Sequence, residues 1–299
     1  MNRSRNLDRL LLIGAILVIA ALPAIAQKAA KPASAEGAIL FAVLSDGKVI
    51  EPIGAIAKGK FIEVDDAAAR LEDRFKPGKG YTLIFGGSQD GTVKVIKKAT
   101  GECAGESADI TASPERARLK GFVMALATDG KFALKEPAVR RLPTREERSA
   151  AEALVRAALL KQKVAPAAVR TLRYHNLTAI DIDRNGDAEM VGSFWVEPNK
   201  NERATLFFIA EKSAAGDFAI TYAEFNRYTP KEIMSGEVSD LDEGIYHTLL
   251  LDYLDLDGDG VGEIVVTSQA FEGRNFGVYQ KKAGKWTKMH ESYNYRCGY

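Results

Sequence analysis

The sequence predicts a mainly β protein: a small N-terminal β-barrel or sandwich, one linking α-helix and a C-terminal pair of β repeats. Two observations carry this expectation. Short apolar runs bounded by Gly- and Asp-rich turns fill most of the chain, which is the pattern of strands and hairpins. A four-strand pattern built around an acidic loop then occurs twice, the two loops starting 74 residues apart at Asp181 and Asp255.

At 299 residues and 46% hydrophobic side chains the chain has ample material for a core. A formal net charge of +1 argues against a nucleic-acid partner, which calls for a basic footprint.

The N-terminus differs in kind from the rest. Arg3, Arg5 and Arg9 precede an apolar run from Leu10 to Leu22, followed by Pro23 and a small-x-small ending at Ala24 and Ala26. This predicts a secretory signal peptide over residues 1–26, cleaved before Gln27. An uncleaved membrane anchor is the alternative, since Leu10 to Ala26 lies at the lower edge of spanning length. No second long apolar stretch follows, so no membrane span is expected after cleavage. The expected location is therefore periplasmic, cell-surface or secreted. Residues 27–36, "QKAAKPASAE", read as a polar linker.

Residues 37–141 read as the N-terminal β domain. "AILFAVL" leads into the turn "SDGK", and "GKFIEV" forms a further strand. A short helix is expected at "DDAAARLEDRF", capped by Asp65 or Asp66. "YTLIF" and "TVKVIKK" flank the turn "GGSQDG" as a hairpin, and "KGFVMALAT" with "FALKE" suggests another. The glycine-rich turn is no phosphate loop, because no Gly-Lys-Ser/Thr ends it and no helix follows.

A linking helix is expected within 142–167. Thr144 and Glu147 are spaced as a capping box, and Ala151, Leu154, Val155, Ala158 and Leu159 make one apolar stripe. Glu152 and Arg156 are placed to pair on the exposed face. The stripe is expected to pack on the chain's own sheet, with docking of a partner as the other use.

Residues 168–299 hold the repeats. Counted from its first Asp, loop one sets Asp181, Asp183, Asn185, Gly186, Asp187 and Glu189 at positions 1, 3, 5, 6, 7 and 9. Loop two sets Asp255, Asp257, Asp259, Gly260, Val261 and Glu263 at the same positions. Alternate residues of a tight loop can turn their oxygens to one centre. Position 7 can add a backbone carbonyl, and position 9 returns a carboxylate from the next strand. Gly at position 6 permits the sharp bend. Hard oxygen ligands in a flexible loop suit Ca²⁺ better than Mg²⁺, and the absence of soft ligands argues against zinc or copper. Asp-Gly stretches also form ordinary surface turns, but two loops agreeing at every ligand position favour two calcium sites. An EF-hand is excluded. Position 12 is Gly192 in one loop and Val266 in the other, where that motif requires Glu, and the flanks are β-rich.

These loops, with the strand after each (177–196 and 251–268), resemble the calcium loops of FG-GAP-type repeats, as in integrin α-chain β-propellers and related bacterial exported proteins. The resemblance implies a partial-propeller-like arrangement of the repeats. It places ligands at Asp181, Asp183, Asn185, Asp187 and Glu189, and at Asp255, Asp257, Asp259, Val261 and Glu263. The Gly-Ala-Pro segment of that family is absent, the chain reading "GSFWV" and "TSQAF", and two copies make no complete propeller.

Cys103 and Cys297 are the two cysteines. In an oxidising compartment a lone pair favours a disulfide, with two buried thiols as the alternative. The histidines His175, His247 and His290 show no metal spacing, and no nucleophile elbow occurs. The recurring aromatics Phe194, Trp195, Phe207, Phe208, Tyr279 and Trp286 suit core filling, with stacking on a sugar ring as the other use. The expected function is a non-enzymatic calcium-binding module or scaffold with a protein or glycan partner. The alternative is a hydrolase or polysaccharide-processing factor with scattered active-site residues.

Overall fold

The computed structural model describes residues 37–62, 67–101, 104–132, 134, 139–213 and 215–297. The signal segment, the linker, Asp65, Asp66 and Cys103 lie outside the described residues.

The first strands are β1 (Ala38–Leu44), β2 (Val49–Ala57) and β3 (Lys60–Ile62). Helix α1 (Ala67–Arg74) precedes β4 (Gly80–Ile84), β5 (Gln89–Lys98), β6 (Ala108–Pro114) and β7 (Ala125–Thr128). Their order is β1-β7-β4-β5-β6-β2, and antiparallel pairing of β1 with β2 closes a six-stranded barrel. Strand β3 extends β2 outside the ring. The period of two in "AILFAVL" serves both faces of the barrel wall. Ile39, Phe41 and Val43 fill the interior with Leu71 and Phe75, while Leu40, Ala42 and Leu44 face outward into another core. Ser45, Asp46 and Gly47 all take positive φ in the turn to β2, the conformation that a polar, Gly-containing turn tolerates.

The expected hairpin of "YTLIF" with "TVKVIKK" is β4–β5. The expected hairpin of "KGFVMALAT" with "FALKE" is corrected. Strand β7 pairs with β1 and β4, and the described residues just after it are not strand. The barrel needs both edges of β7 for closure, which leaves no free edge for a local partner.

Strand β8 (Arg140–Arg141) is followed by α2 (Arg145–Lys161) and α3 (Pro166–Val169). Thr144 and Glu147 form the capping box, and Arg156 lies 3.5 Å from Glu152. Then come β9 (Arg173–Ile180), β10 (Glu189–Asn199), β11 (Glu202–Lys212) and β12 (Phe218–Tyr228), and, after a 3-10 turn at Val238–Gly244, β13 (Thr248–Leu254), β14 (Glu263–Ala270), β15 (Gly273–Lys282) and β16 (Lys285–Tyr295). Each repeat is thus a four-stranded antiparallel meander, β9 to β12 and β13 to β16, with β8 added at the edge of the first.

These pieces stack in layers. Ala151, Val155 and Leu159 of α2 pack on one face of the first repeat, against Met190, Phe194, Leu206 and Phe208. The other face, with Ile180, Val191, Phe207 and Ile209, meets Leu250, Tyr253, Ile264 and Tyr279 of the second repeat. The far face of the second repeat, with Leu249, Leu251, Val265 and Val278, meets Leu40, Leu44, Ile53 and Leu126 on the outside of the barrel. A sheet covered on both faces needs apolar residues at successive positions, which is why "LLLDYL" and "EIVV" do not alternate. Phe194, Trp195, Phe207, Phe208, Tyr279 and Trp286 are all buried, as core filling requires.

Candidate metal centre

Both acidic loops connect the first two strands of a repeat. Strands β9 and β13 deliver Asp181 and Asp255 just beyond their last residues, and Glu189 and Glu263 open β10 and β14. The hydrogen bonds within the loops follow one plan. In loop one the Asp181 carboxylate accepts from the N–H groups of Asn185 and Gly186, both at 3.1 Å. In loop two Asp255 accepts from Gly258 at 2.8 Å and Gly260 at 3.1 Å. Asp183 and Asp257 each accept the N–H two residues on, at 3.2 and 3.1 Å. Gly186 and Gly260 carry φ of +92° and +97°, so the sixth position uses the left-handed bend read from the sequence. The buried Glu189 accepts from Ile182 N–H at 3.0 Å, and the buried Glu263 from Leu256 N–H at 2.7 Å.

Positions 1, 3 and 9 converge. Oxygens of Asp181, Asp183 and Glu189 lie within 4.8 Å of one another, as do those of Asp255, Asp257 and Glu263. These two triads can hold metal ions, and their all-carboxylate chemistry fits a hard cation. Position 5 is used locally: Asn185 Oδ1 accepts from Asp187 N–H at 2.7 Å, and Asp259 Oδ1 from Val261 N–H at 2.8 Å. At position 7, the Asp187 carboxylate pairs with Lys212 at 2.7 Å, and Val261 contributes its N–H to Asp259.

Electrostatics make the triads demanding. Burial pushes the Glu189 carboxyl up to about 7, and the neighbouring Asp183 charge adds to this against the Ile182 N–H. Glu263 is likewise pushed up to about 7 by burial, with Asp257 adding to it and Leu256 N–H and Gln280 opposing. A bound cation reverses this balance by favouring the ionised form.

Two neighbours of the triads, Gln280 bonded to the second and Glu211 a like charge beside the first, escaped the sequence reading because they come from the neighbouring strand. Gln280 on β15 donates through Nε2 to Asp257 Oδ2 at 2.7 Å and to Glu263 Oε1 at 3.1 Å. The corresponding position on β11 is Glu211, whose carboxylate takes Lys281 at 2.8 Å and Trp286 Nε1 at 2.5 Å, both from the second repeat. The available signal was register: each lies opposite the position-9 glutamate in the hairpin that follows it.

The loops also sit at joints between layers. Gly262 N–H donates to Ile182 O at 2.9 Å, and Tyr253 OH to Asp181 O at 3.3 Å, so the two loops are bonded through their flanks. On the far side, the Gly59 turn of the barrel lies against loop two. A Cβ at Gly59 would stand 2.8 Å from Asp257 Cα.

The histidines do not approach the triads. His175 and His247 meet each other, with ring centroids 4.4 Å apart, beside Trp195. His290 stacks on Phe61 at 3.9 Å. Cys297 is disulfide-bonded, and its expected partner Cys103 lies outside the described residues. Among the described residues no helix is long and apolar enough to cross a membrane. No protein-family model, curated protein or solved structure matches the chain.

Proposed function

We propose that each acidic loop binds one Ca²⁺ and that the chain is an exported, non-enzymatic scaffold or binding module stapled by these ions. The carrying observation is that both triads repeat one hydrogen-bonding plan and lie where the layers join, at Gly262–Ile182 and at Gly59–Asp257. An ion there pins the bend from one strand to the next and the seam beside it. With the carboxylates of Asp181, Asp183 and Glu189, or of Asp255, Asp257 and Glu263, as its core, each site leaves the remaining positions to water and to the loop residues of the FG-GAP-like pattern.

Extracellular calcium modules bind at roughly 10⁻⁴ to 10⁻³ M. At a calcium concentration ten times the dissociation constant, each ion contributes about 1.4 kcal/mol. That is the scale of a staple. The export signal and the extracellular supply of calcium belong together in this reading, with a protein or glycan as the partner.

Calorimetric titration of calcium is the test, with two ions per chain expected. Loop two, with four side-chain carboxylates, binds more tightly than loop one, where an amide stands at position 5 and Lys212 neutralises Asp187. Asp257→Ala therefore costs more affinity than Asp183→Ala. Heat flow that does not saturate at millimolar calcium overturns the proposal.

A further inference from the structure

A cavity of about 330 Å³ opens where the barrel, the second repeat and strand β9 meet the segment leading into α2. Its walls include Phe85, Phe122, Val123, Leu142, Tyr174 and Leu250. Four of these are large side chains left exposed: Leu142 at 79%, Val123 at 41%, Tyr174 at 40% and Phe122 at 37%. Apolar groups gathered at the rim of one cavity mark a binding surface, and the volume is that of a small-ligand site.

The charges in the lining do not balance. Arg140, Arg141 and Arg148 line the cavity, and no acidic residue does. Arg140 is taken by Asp252 at 2.9 Å, and Arg141 by Glu147 through bonds of 2.6 and 2.8 Å. The exposed Arg148 side chain has no ion pair or hydrogen bond among the described residues. Two further lining residues hold buried polar atoms without a partner, His175 Nε2 and Asn176 Oδ1. Both atoms are sealed from solvent by their neighbours, so the polar group that the cavity itself presents is the Arg148 guanidinium.

We propose that this cavity binds a small amphipathic anion: an apolar chain or ring system fills it, and a single carboxylate or phosphate pairs with Arg148. The apolar walls favour such a body over a neutral sugar, whose hydroxyls would face Phe85 and Leu250 without partners. One unpaired guanidinium calls for one anionic group, held by charge-assisted hydrogen bonds. This site is separate from the acidic loops and does not rest on calcium binding.

Calorimetry with three ten-carbon probes tests the proposal: decanoate, decyl phosphate and decanol. One of the two anions is expected to saturate at one per chain, and which of them binds more tightly identifies the headgroup. Decanol is expected to bind about tenfold more weakly, the loss of one charge-assisted contact. Arg148→Ala should weaken the anion about tenfold and leave decanol unchanged. Val123→Trp, which fills the mouth, should abolish binding of all three without lowering the melting temperature. The proposal is overturned if neither anion saturates, if Arg148→Ala weakens decanol as much as the anion, or if binding survives in a folded Val123→Trp variant.

Discussion

The backbone N–H of Gly262 reaches the carbonyl of Ile182 across 2.9 Å and so joins the exit of one acidic loop to the entry of the other. Beside this bond the Tyr253 ring is wedged between two glycines. A Cβ would stand 2.4 Å from it at Gly87 and 2.5 Å from it at Gly262. The acidic loops are therefore parts of one seam, and disturbing one flank disturbs both.

The expected consequence of Gly262→Ala is overpacking against Tyr253, at a cost of about 1–3 kcal/mol. Urea unfolding measures it. A variant as stable as the parent would show that the ring has room to move and that the seam is loose.

Asp252 is a second joint. It is fully buried on β13, accepts the Gly86 N–H of the barrel at 2.8 and 3.1 Å, and pairs with Arg140 of β8 at 2.9 Å. Asp252→Ala strands a buried guanidinium and is expected to cost about 3–5 kcal/mol. Combining it with Arg140→Met should return a large part of that loss, since the unpaired charge goes with it. Chemical denaturation of both variants decides this. Equal stability of the single and double variants would show that the stranded charge is not the cause.

His247 supplies a pH dependence. Its fully buried imidazole is held down from 6.5 to about 3, chiefly by burial and then by His175 and Arg203. In the unfolded chain the ring takes a proton near pH 6.5, whereas the folded protein refuses it until about pH 3. The stability due to neutral burial is whole above 6.5 and falls as pH drops, by up to about 1.4 kcal/mol per pH unit. His247→Phe removes this slope. Between pH 7.5 and 4.5 the parent should therefore lose about 2–3 kcal/mol more than the variant. Parallel pH profiles of the two would contradict a buried neutral ring.

Much of this was legible in the chain. Turn residues at "SDGK", the capping box at Thr144 and Glu147, and the repeated acidic loops are local signals, and each element stands where those residues place it. The closed barrel was not readable beyond its class. Pairing of β1 with both β2 and β7 is set by packing between distant segments, and the same closure overrode the hairpin expected after β7. Of the five residues read in each loop, the structure brings the carboxylates of positions 1, 3 and 9 together; Asn185 and Asp259 accept the N–H two residues on, and Asp187 is paired with Lys212. Gln280 and Glu211 were invisible for a related reason. Each lies far along the sequence from its glutamate and meets it through strand register.

Whether an ion holds the two loops in shape is decided by thermal unfolding in EDTA and then with calcium restored. The expected result is a melting temperature lowered by EDTA and restored by millimolar calcium, the recovered stability amounting to about 3 kcal/mol for two sites at ten times their dissociation constant. Identical melting curves in EDTA and in millimolar calcium would contradict it.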